Sequence, residues 1–303
     1  MSEIKLYDTN GQVTELISSS VLLERELQTL IENNMSTFFG VRFLKSEYSI
    51  TGGRMDSIGI DENNCPVIFE YKRNSNENVI NQGLFYLDWL LDHKADFKLL
   101  VMSVLGKEAA DLIDWSAPCV ICVAHKFNKY DIHAVDRMQV NIKLVEYRKY
   151  NNGMLLFEHL NTPSTSSSRN NDTCHTEPVI NKTQKHDTSF HIDKLESISP
   201  ELKDLYENIC NYIESLGDDV ASNQLKQCLA YRKLRNFACI EIFSKQLKLF
   251  LTLDPSTVEL TKDFTRDVSN VGHHGTGDVE VVIKNSEDFE KAKPLIERAY
   301  NEG

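Results

Sequence analysis

Apolar positions switch period along the chain, and the switches mark its elements. Leu23, Leu27, Leu30 and Ile31 recur at three- and four-residue steps, which predicts an amphipathic helix over about residues 21–34 with Ser20 as its N-cap. Before it, residues 1–15 read as a short strand or arm followed by an Asn10-Gly11 turn. From 41 to 50 the period is two, with Phe43 and Lys45 alternating against Leu44, so a strand is predicted. A β-hairpin follows, with strands over 55–61 and 66–72 and the turn D-E-N-N between them. Pro66 opens the second strand, where its missing N–H does little harm. A helix over about 77–93 places Gln82, Tyr86, Trp89 and His93 on one face and Val79, Leu84, Leu87 and Leu91 on the core face. The pattern then predicts a buried strand at 97–104, a short helix at 107–114, an apolar strand at 118–124, a helix at 126–138 and closing strands at 140–147 and 154–159. This order fits a mixed sheet flanked by helices, an α/β architecture.

Residues 161–195 change character. Rich in Ser, Thr and Asn, they have little to bury and read as a polar, flexible linker. Its histidines are scattered and make no metal site. Beyond it, Ser199 and Pro200 open a helix that ends at Gly217, with Leu202, Leu205, Ile209 and Ile213 on one face. Residues 230–243 and 246–254 read as two strands with a tight connection, 275–284 as a third, and Ser286 as the cap of a final helix. The predicted organisation is therefore a domain over 1–160, a linker over 161–195 and a small α+β domain over 196–303.

Composition narrows the possibilities. At 303 residues with 41% hydrophobic content, each domain can bury its own core. With no apolar run near 18 residues and no secretory leader visible, the reading is a cytoplasmic protein without a membrane partner. Seven irregularly spaced cysteines point to reduced thiols. Cys119 and Cys122, three apart on a strand, face opposite sides and cannot chelate together. A net charge of −12 counts against non-specific coating of nucleic acid; a local basic groove or a bound metal must overcome the repulsion.

The chemistry concentrates in T-G-G-R-M-D-S-I-G-I-D-E-N-N-C-P-V-I-F-E-Y-K-R, residues 51–73. Glu70 and Lys72 alternate with Tyr71 and so share a face. Two carboxylates and an ammonium at one end of a hairpin are costly to bury without work to do. Asp56 and Glu70 suit a hard divalent cation, and Lys72 could stabilise charge beside it. An Asp, a hairpin turn and then Glu-x-Lys resembles the PD-(D/E)XK nuclease superfamily. With G-R-M-D in place of the Pro-Asp pair, it resembles most the NucS/EndoMS-like DNA endonuclease branch.

That resemblance covers about residues 15–160 and implies a restriction-endonuclease-like fold and a metal-dependent endonuclease. Mg²⁺ or Mn²⁺ would be held by Asp56, Glu70, the Tyr71 carbonyl and Glu26 of the first helix, with Glu24 a lesser candidate and a solvated Glu26 the plainer alternative. Gln82 would position water or phosphate, and Arg54 and Arg73 would contact phosphates. The partner implied is nucleic acid, DNA before RNA, with a homodimer needed for a double-strand cut. The C-terminal part resembles a domain of unknown function found in "predicted transport proteins". There Lys226, Arg232, Lys233 and Arg235, interleaved with Tyr231 and Phe237, are candidate nucleic-acid contacts or else a solvated strand face. His273 and His274 sit beside a G-T-G turn that reads as a hairpin turn. A catalytically silent nuclease-fold module, binding nucleic acid or protein, remains the alternative function, and a purely structural salt-bridge cluster a further one.

Overall fold

The computed structural model describes residues 4–18, 22–72, 79–138, 140–160, 189–272 and 275–302. A small ribbon of β1 (Leu6–Asp8) and β2 (Thr14–Leu16) precedes helix α1 (Glu24–Phe39). Then come β3 (Val41–Ile50), β4 (Gly53–Asp61) and β5 (Pro66–Lys72), helices α2 (Val79–Asp92), α3 (Lys94–Leu105) and α4 (Lys107–Asp111), β6 (Cys119–Ala124), α5 (Lys129–Arg137), β7 (Ile142–Lys149) and β8 (Leu155–His159). The six strands β3 to β8 form one sheet in sequence order: antiparallel through β5, parallel across β5, β6 and β7, and antiparallel again at β8. This is the predicted mixed sheet flanked by helices.

Each face of this sheet has its own core. On one side α1 buries Leu27, Ile31, Met35 and Phe39 against Val67, Phe69 and Tyr71 of β5. On the other, α2, α3 and α5 cover Ile58, Ile68, Val120 and Leu144. Burying one such side chain is worth about 1.5–3 kcal/mol, so α1 is held by its stripe rather than by intrinsic propensity. Cys119 and Cys122 fall into the opposite cores, as their spacing requires.

The second body starts with α6 (Ser189–Ser197) and α7 (Pro200–Glu214). A six-stranded antiparallel sheet follows, built from β9 (Ala221–Gln224), β10 (Cys228–Arg232), β11 (Asn236–Phe243), β12 (Gln246–Leu251), β13 (Thr265–Asp267) and β14 (Val279–Ile283), and the chain closes on α8 (Ser286–Glu302). Its order is β13-β14-β12-β11-β10-β9, and α7 and α8 pack on one face. Among the described residues no helix is long and apolar enough to cross a membrane.

Several expectations are corrected. Residues 97–104 are helix, within α3: only Phe97 and Val101 are buried, a one-sided four-residue spacing that a short apolar run does not distinguish from a strand. Residues 230–243 hold two strands, since K-L-R makes a tight turn between β10 and β11. The last helix is capped by Asn285, whose side chain accepts from the Asp288 amide at 3.0 Å, not by Ser286. Of the predicted linker, residues 161–188 lie outside the described residues, as do Ser20, His175, His186, His273 and His274. Residues 189–195 belong to α6, where buried His191 lies 3.1 Å from the Tyr206 hydroxyl.

The turn of the β4–β5 hairpin packs against the second body. Asp61 Oδ1 accepts the amides of Asn63 and Cys65, both at 2.9 Å, which shapes the turn from within. Its outer side meets the β10–β11 hairpin: Arg232 reaches Asp61 Oδ2 at 3.3 Å, Arg235 reaches Glu62 at 2.8 Å, and Asn236 donates to Asn63 Oδ1 at 2.6 Å. Cys65 joins Leu225, Cys228, Cys239 and Phe250 in a small apolar cluster beneath these contacts.

Candidate functional site

The opposite end of the same hairpin carries the predicted carboxylates. The β4–β5 ladder runs from Ile60↔Pro66 to Ser57↔Phe69, and beyond it side chains take over. The Tyr71 amide donates to Asp56 Oδ2 at 2.9 Å, and the Asp56 amide donates to Glu70 Oε1 at 3.3 Å. Each carboxylate is thereby fixed to the other strand's backbone, and the two are brought side by side.

Asp56 is half-buried and Glu70 is 1% exposed. Burial, and then the charge of Asp56, pushes the Glu70 carboxyl up to about 8, and burial raises Asp56 as well. Lys72, 9% exposed, opposes both shifts electrostatically, and Glu24 Oε1 lies 4.0 Å from its Nζ. Two adjacent carboxylates resist ionising together with one ammonium to balance them. Such a hard oxygen pair has the donor chemistry of a divalent-cation site, and a cation held there would supply the missing positive charge. Among the described residues no group of three His, Cys, Asp or Glu side chains is placed to hold a metal. A third donor would come from the Tyr71 carbonyl or from movement of Glu24.

Glu26 is not at this site. It is exposed and its Oε2 accepts the Leu23 amide at 3.2 Å, capping its own helix; Glu24 is the α1 residue that reaches Lys72. Gln82 is exposed on α2. Tyr86, one turn on, is buried, and its hydroxyl accepts the Arg54 amide at 3.3 Å. Gly53 permits this contact, because a Cβ there would stand 2.7 Å from the Tyr86 ring. Arg54 pairs with Glu47 at 2.6 Å, so a phosphate would have to compete for it. Arg73 lies outside the described residues.

The predicted basic stretch of the second body is spent largely on internal contacts. Arg232 is 3% exposed and pairs with Asp61, Arg235 pairs with Glu62, and Lys233 donates to the Tyr300 carbonyl. Only Lys226 of the four is exposed. Interleaved Tyr231 and Phe237 are fully buried core residues, so neither presents a ring for stacking. A basic run on a strand end looks the same in sequence whether it faces solvent or another part of the chain.

Sequence reasoning did not find Gln28, Glu32 and Ser57. Buried Gln28 donates from Nε2 to the Asp56 carbonyl at 2.9 Å, to Glu32 at 2.9 Å and to Ser46 Oγ at 3.1 Å; Ser57 Oγ donates to Glu32 at 2.6 Å. These bonds hold the backbone at Asp56 from the α1 side. The available signal was a polar pair four residues apart, flanking the apolar stripe of α1.

Comparison with known proteins gives three results. A family model described as a domain of unknown function (DUF5655) matches residues 192–303, so the expected C-terminal domain of unknown function is present. Two solved structures, an EndoMS complex with double-stranded DNA and a repair endonuclease from Pyrococcus abyssi, are each 16% identical with a TM-score of 0.28 over 47% of this chain. The match spans 64% and 65% of those chains, less than two thirds of either, and such a score does not establish a shared fold. An uncharacterized protein of Haemophilus influenzae is 31% identical over 301 residues, 96% of this chain and 97% of that one. The chain belongs to the same family as this Haemophilus influenzae protein.

Proposed function

We propose that this protein is a metal-dependent endonuclease that hydrolyses phosphodiester bonds, with DNA as substrate. The observation that carries the reading is the Asp56–Glu70 pair, cross-linked through the Tyr71 and Asp56 amides and raised together in pKa, with Lys72 at its side. Asp56 and Glu70, with the Tyr71 carbonyl, would hold Mg²⁺ or Mn²⁺. When bound, the cation supplies acidity to a water and neutralises charge on the phosphate oxygens.

The chain's own groups do the rest. Lys72, anchored at the end of β5, stabilises the extra negative charge of the transition state or orients the attacking water. Gln28 and Glu32 keep the Asp56 backbone in place from behind. Arg54 binds a phosphate by exchanging Glu47 for it. Gln82, on the solvent side of α2, contacts substrate only if the nucleic acid lies along that helix. A double-strand cut would require two copies.

The test is cleavage of labelled single- and double-stranded DNA and RNA with Mg²⁺, Mn²⁺ or EDTA, using wild type and Lys72→Ala. Metal-dependent cutting of DNA that the variant loses at unchanged melting temperature supports the reading. Absence of cutting on every substrate, with no thermal shift from either metal, sinks it and leaves a silent binding module.

A further inference from the structure

The seam between the two bodies encloses a lysine that the proposed reaction does not use. Lys143 of β7 is 2% exposed, and its Nζ has no hydrogen-bond partner among the described residues. The first body surrounds it with Asp61 at the end of β4, Cys65, Cys119 of β6 and His159 of β8. The second body adds Arg232 of β10. Its β10–β11 turn also covers this end of the sheet, because Leu234 packs on the core that holds Cys119 and Phe157.

The charges in this enclosure do not balance. The carboxylate facing Lys143 is that of Asp61, and it is already engaged: Oδ1 accepts the Asn63 and Cys65 amides, and Oδ2 takes Arg232 Nη1 at 3.3 Å. Asp114, on the far side of Cys65, holds the Ser116 and Lys226 amides. Burial above all raises the Cys65 and Cys119 thiols, which stay uncharged. Burial, and then the charges of Lys143 and Arg232, push the His159 imidazole down to about 3, so it too is neutral. A protonated Lys143 would be a second cation against one carboxylate, sealed from water beside the Arg232 guanidinium. Burial, and then that guanidinium, push its ammonium from an ordinary 10.5 down to about 7, against a partial pull from Cys119, Asp61 and Cys65.

We infer that the seam is a proton-linked latch: the second body closes on the β4–β5 turn as Lys143 gives up its proton to solvent, and rising pH tightens it. When the seam opens, Leu234 and Arg232 move away, Lys143 meets water and its ordinary protonation returns. When the seam is closed, the neutral amine is the form that fits. Between about pH 7 and 10.5 the open state therefore holds one proton more than the closed state. Across that window closure is favoured by about tenfold for each unit of rising pH. Below about 7 both states hold the proton, closure is at its weakest and the dependence ends. The latch acts at the opposite end of the hairpin from Asp56 and Glu70.

The experiment is amide hydrogen exchange of the full chain from pH 6 to 9 in EDTA, comparing wild type with Lys143→Met, which keeps the side-chain length and removes the charge. The Asn236 amide reports the seam, since it donates across it to Glu62 Oε2 at 3.1 Å; the Leu249 amide, inside the ladder of β11, β12 and β14, reports global opening. Asn236 is expected to exchange faster than Leu249 in wild type, which shows the seam opening without unfolding. The ratio of wild-type to variant exchange at Asn236 is expected to be level below about pH 7 and to fall at least tenfold between 7 and 9. Glu70 is common to both proteins and cancels in that ratio. A ratio that does not change with pH, or Asn236 exchange no faster than that of Leu249, overturns the latch. If Lys143→Met does not fold, the ¹³Cε shift of Lys143 in wild type decides: a midpoint near 7 supports the latch and one near 10.5 overturns it. Neither metal nor nucleic acid is present, so failure of the nuclease reading and failure of this one remain separate.

Discussion

Asp56 Oδ2 accepts the Tyr71 amide at 2.9 Å, a bond made by a side chain beyond the end of the backbone ladder between the same two strands. The carboxylate is therefore part of the sheet as well as part of the site. Asp56→Asn keeps an acceptor for that amide and removes the negative charge that opposes Glu70. We expect Asp56→Asn to fold with a melting temperature equal to or a few degrees above wild type without metal, to lose the metal-induced thermal shift, and to lose at least 100-fold in cleavage rate. A thermal scan with and without Mn²⁺ checks the first two, and a cleavage assay the third.

Glu70 sets a pH dependence. Burial, and then the charge of Asp56, push its carboxyl up to about 8 from an ordinary 4.5, so between those pH values the folded state holds a proton that the unfolded chain has lost. Stability without metal is then expected to fall as pH rises from about 4.5 to 8 and to level off above. Glu70→Gln should flatten that fall, and in wild type the thermal shift caused by Mg²⁺ should grow across the same window. Melting temperatures from pH 5 to 8.5 give the answer; a wild-type curve that matches Glu70→Gln would rule the linkage out.

The Arg232–Asp61 pair joins the hairpin turn to the second body with both partners buried. Arg232→Met leaves the Asp61 carboxylate without its counter-ion and should cost about 3–5 kcal/mol, whereas adding Asp61→Asn should recover much of that loss. Denaturant unfolding of the two single variants and the double variant measures the coupling. Additive losses would show that the pair does not act as a unit.

Arg54 is exposed, and its guanidinium is paired with Glu47 at 2.6 Å. Glu47→Gln is expected to tighten DNA binding and steepen its salt dependence, and Arg54→Ala to weaken binding with a salt slope shallower by about one. Binding isotherms at several salt concentrations, in Ca²⁺ or EDTA to prevent cutting, report both. Equal slopes in all three proteins would remove Arg54 from the interface.

Much of this architecture is legible in the chain because it rests on local periodicity. The hairpin is an example: Asp61 and Asn64 in the turn, Pro66 at the strand start and the alternation of Glu70, Tyr71 and Lys72 place its strands and faces without any distant contact. The helix at 94–105 was not legible, since an apolar run with only Phe97 and Val101 buried has the length and composition of a buried strand. The sequence puts Glu26 ahead of Glu24 and the structure reverses that order, because which one reaches Lys72 depends on where α1 starts over the sheet.

Sequence alone determined that Asp56, Glu70 and Lys72 lie near one end of a hairpin, because strand pairing across a short turn is a local geometric consequence. Only the tertiary structure decided what the other charges do. Arg232 and Arg235 read as candidates for a nucleic-acid partner, yet they meet Asp61 and Glu62, about 170 residues earlier in the chain. A charge carries no mark of its partner: its role is set by which carboxylate the folded chain brings within 4 Å and by how much water is left between them.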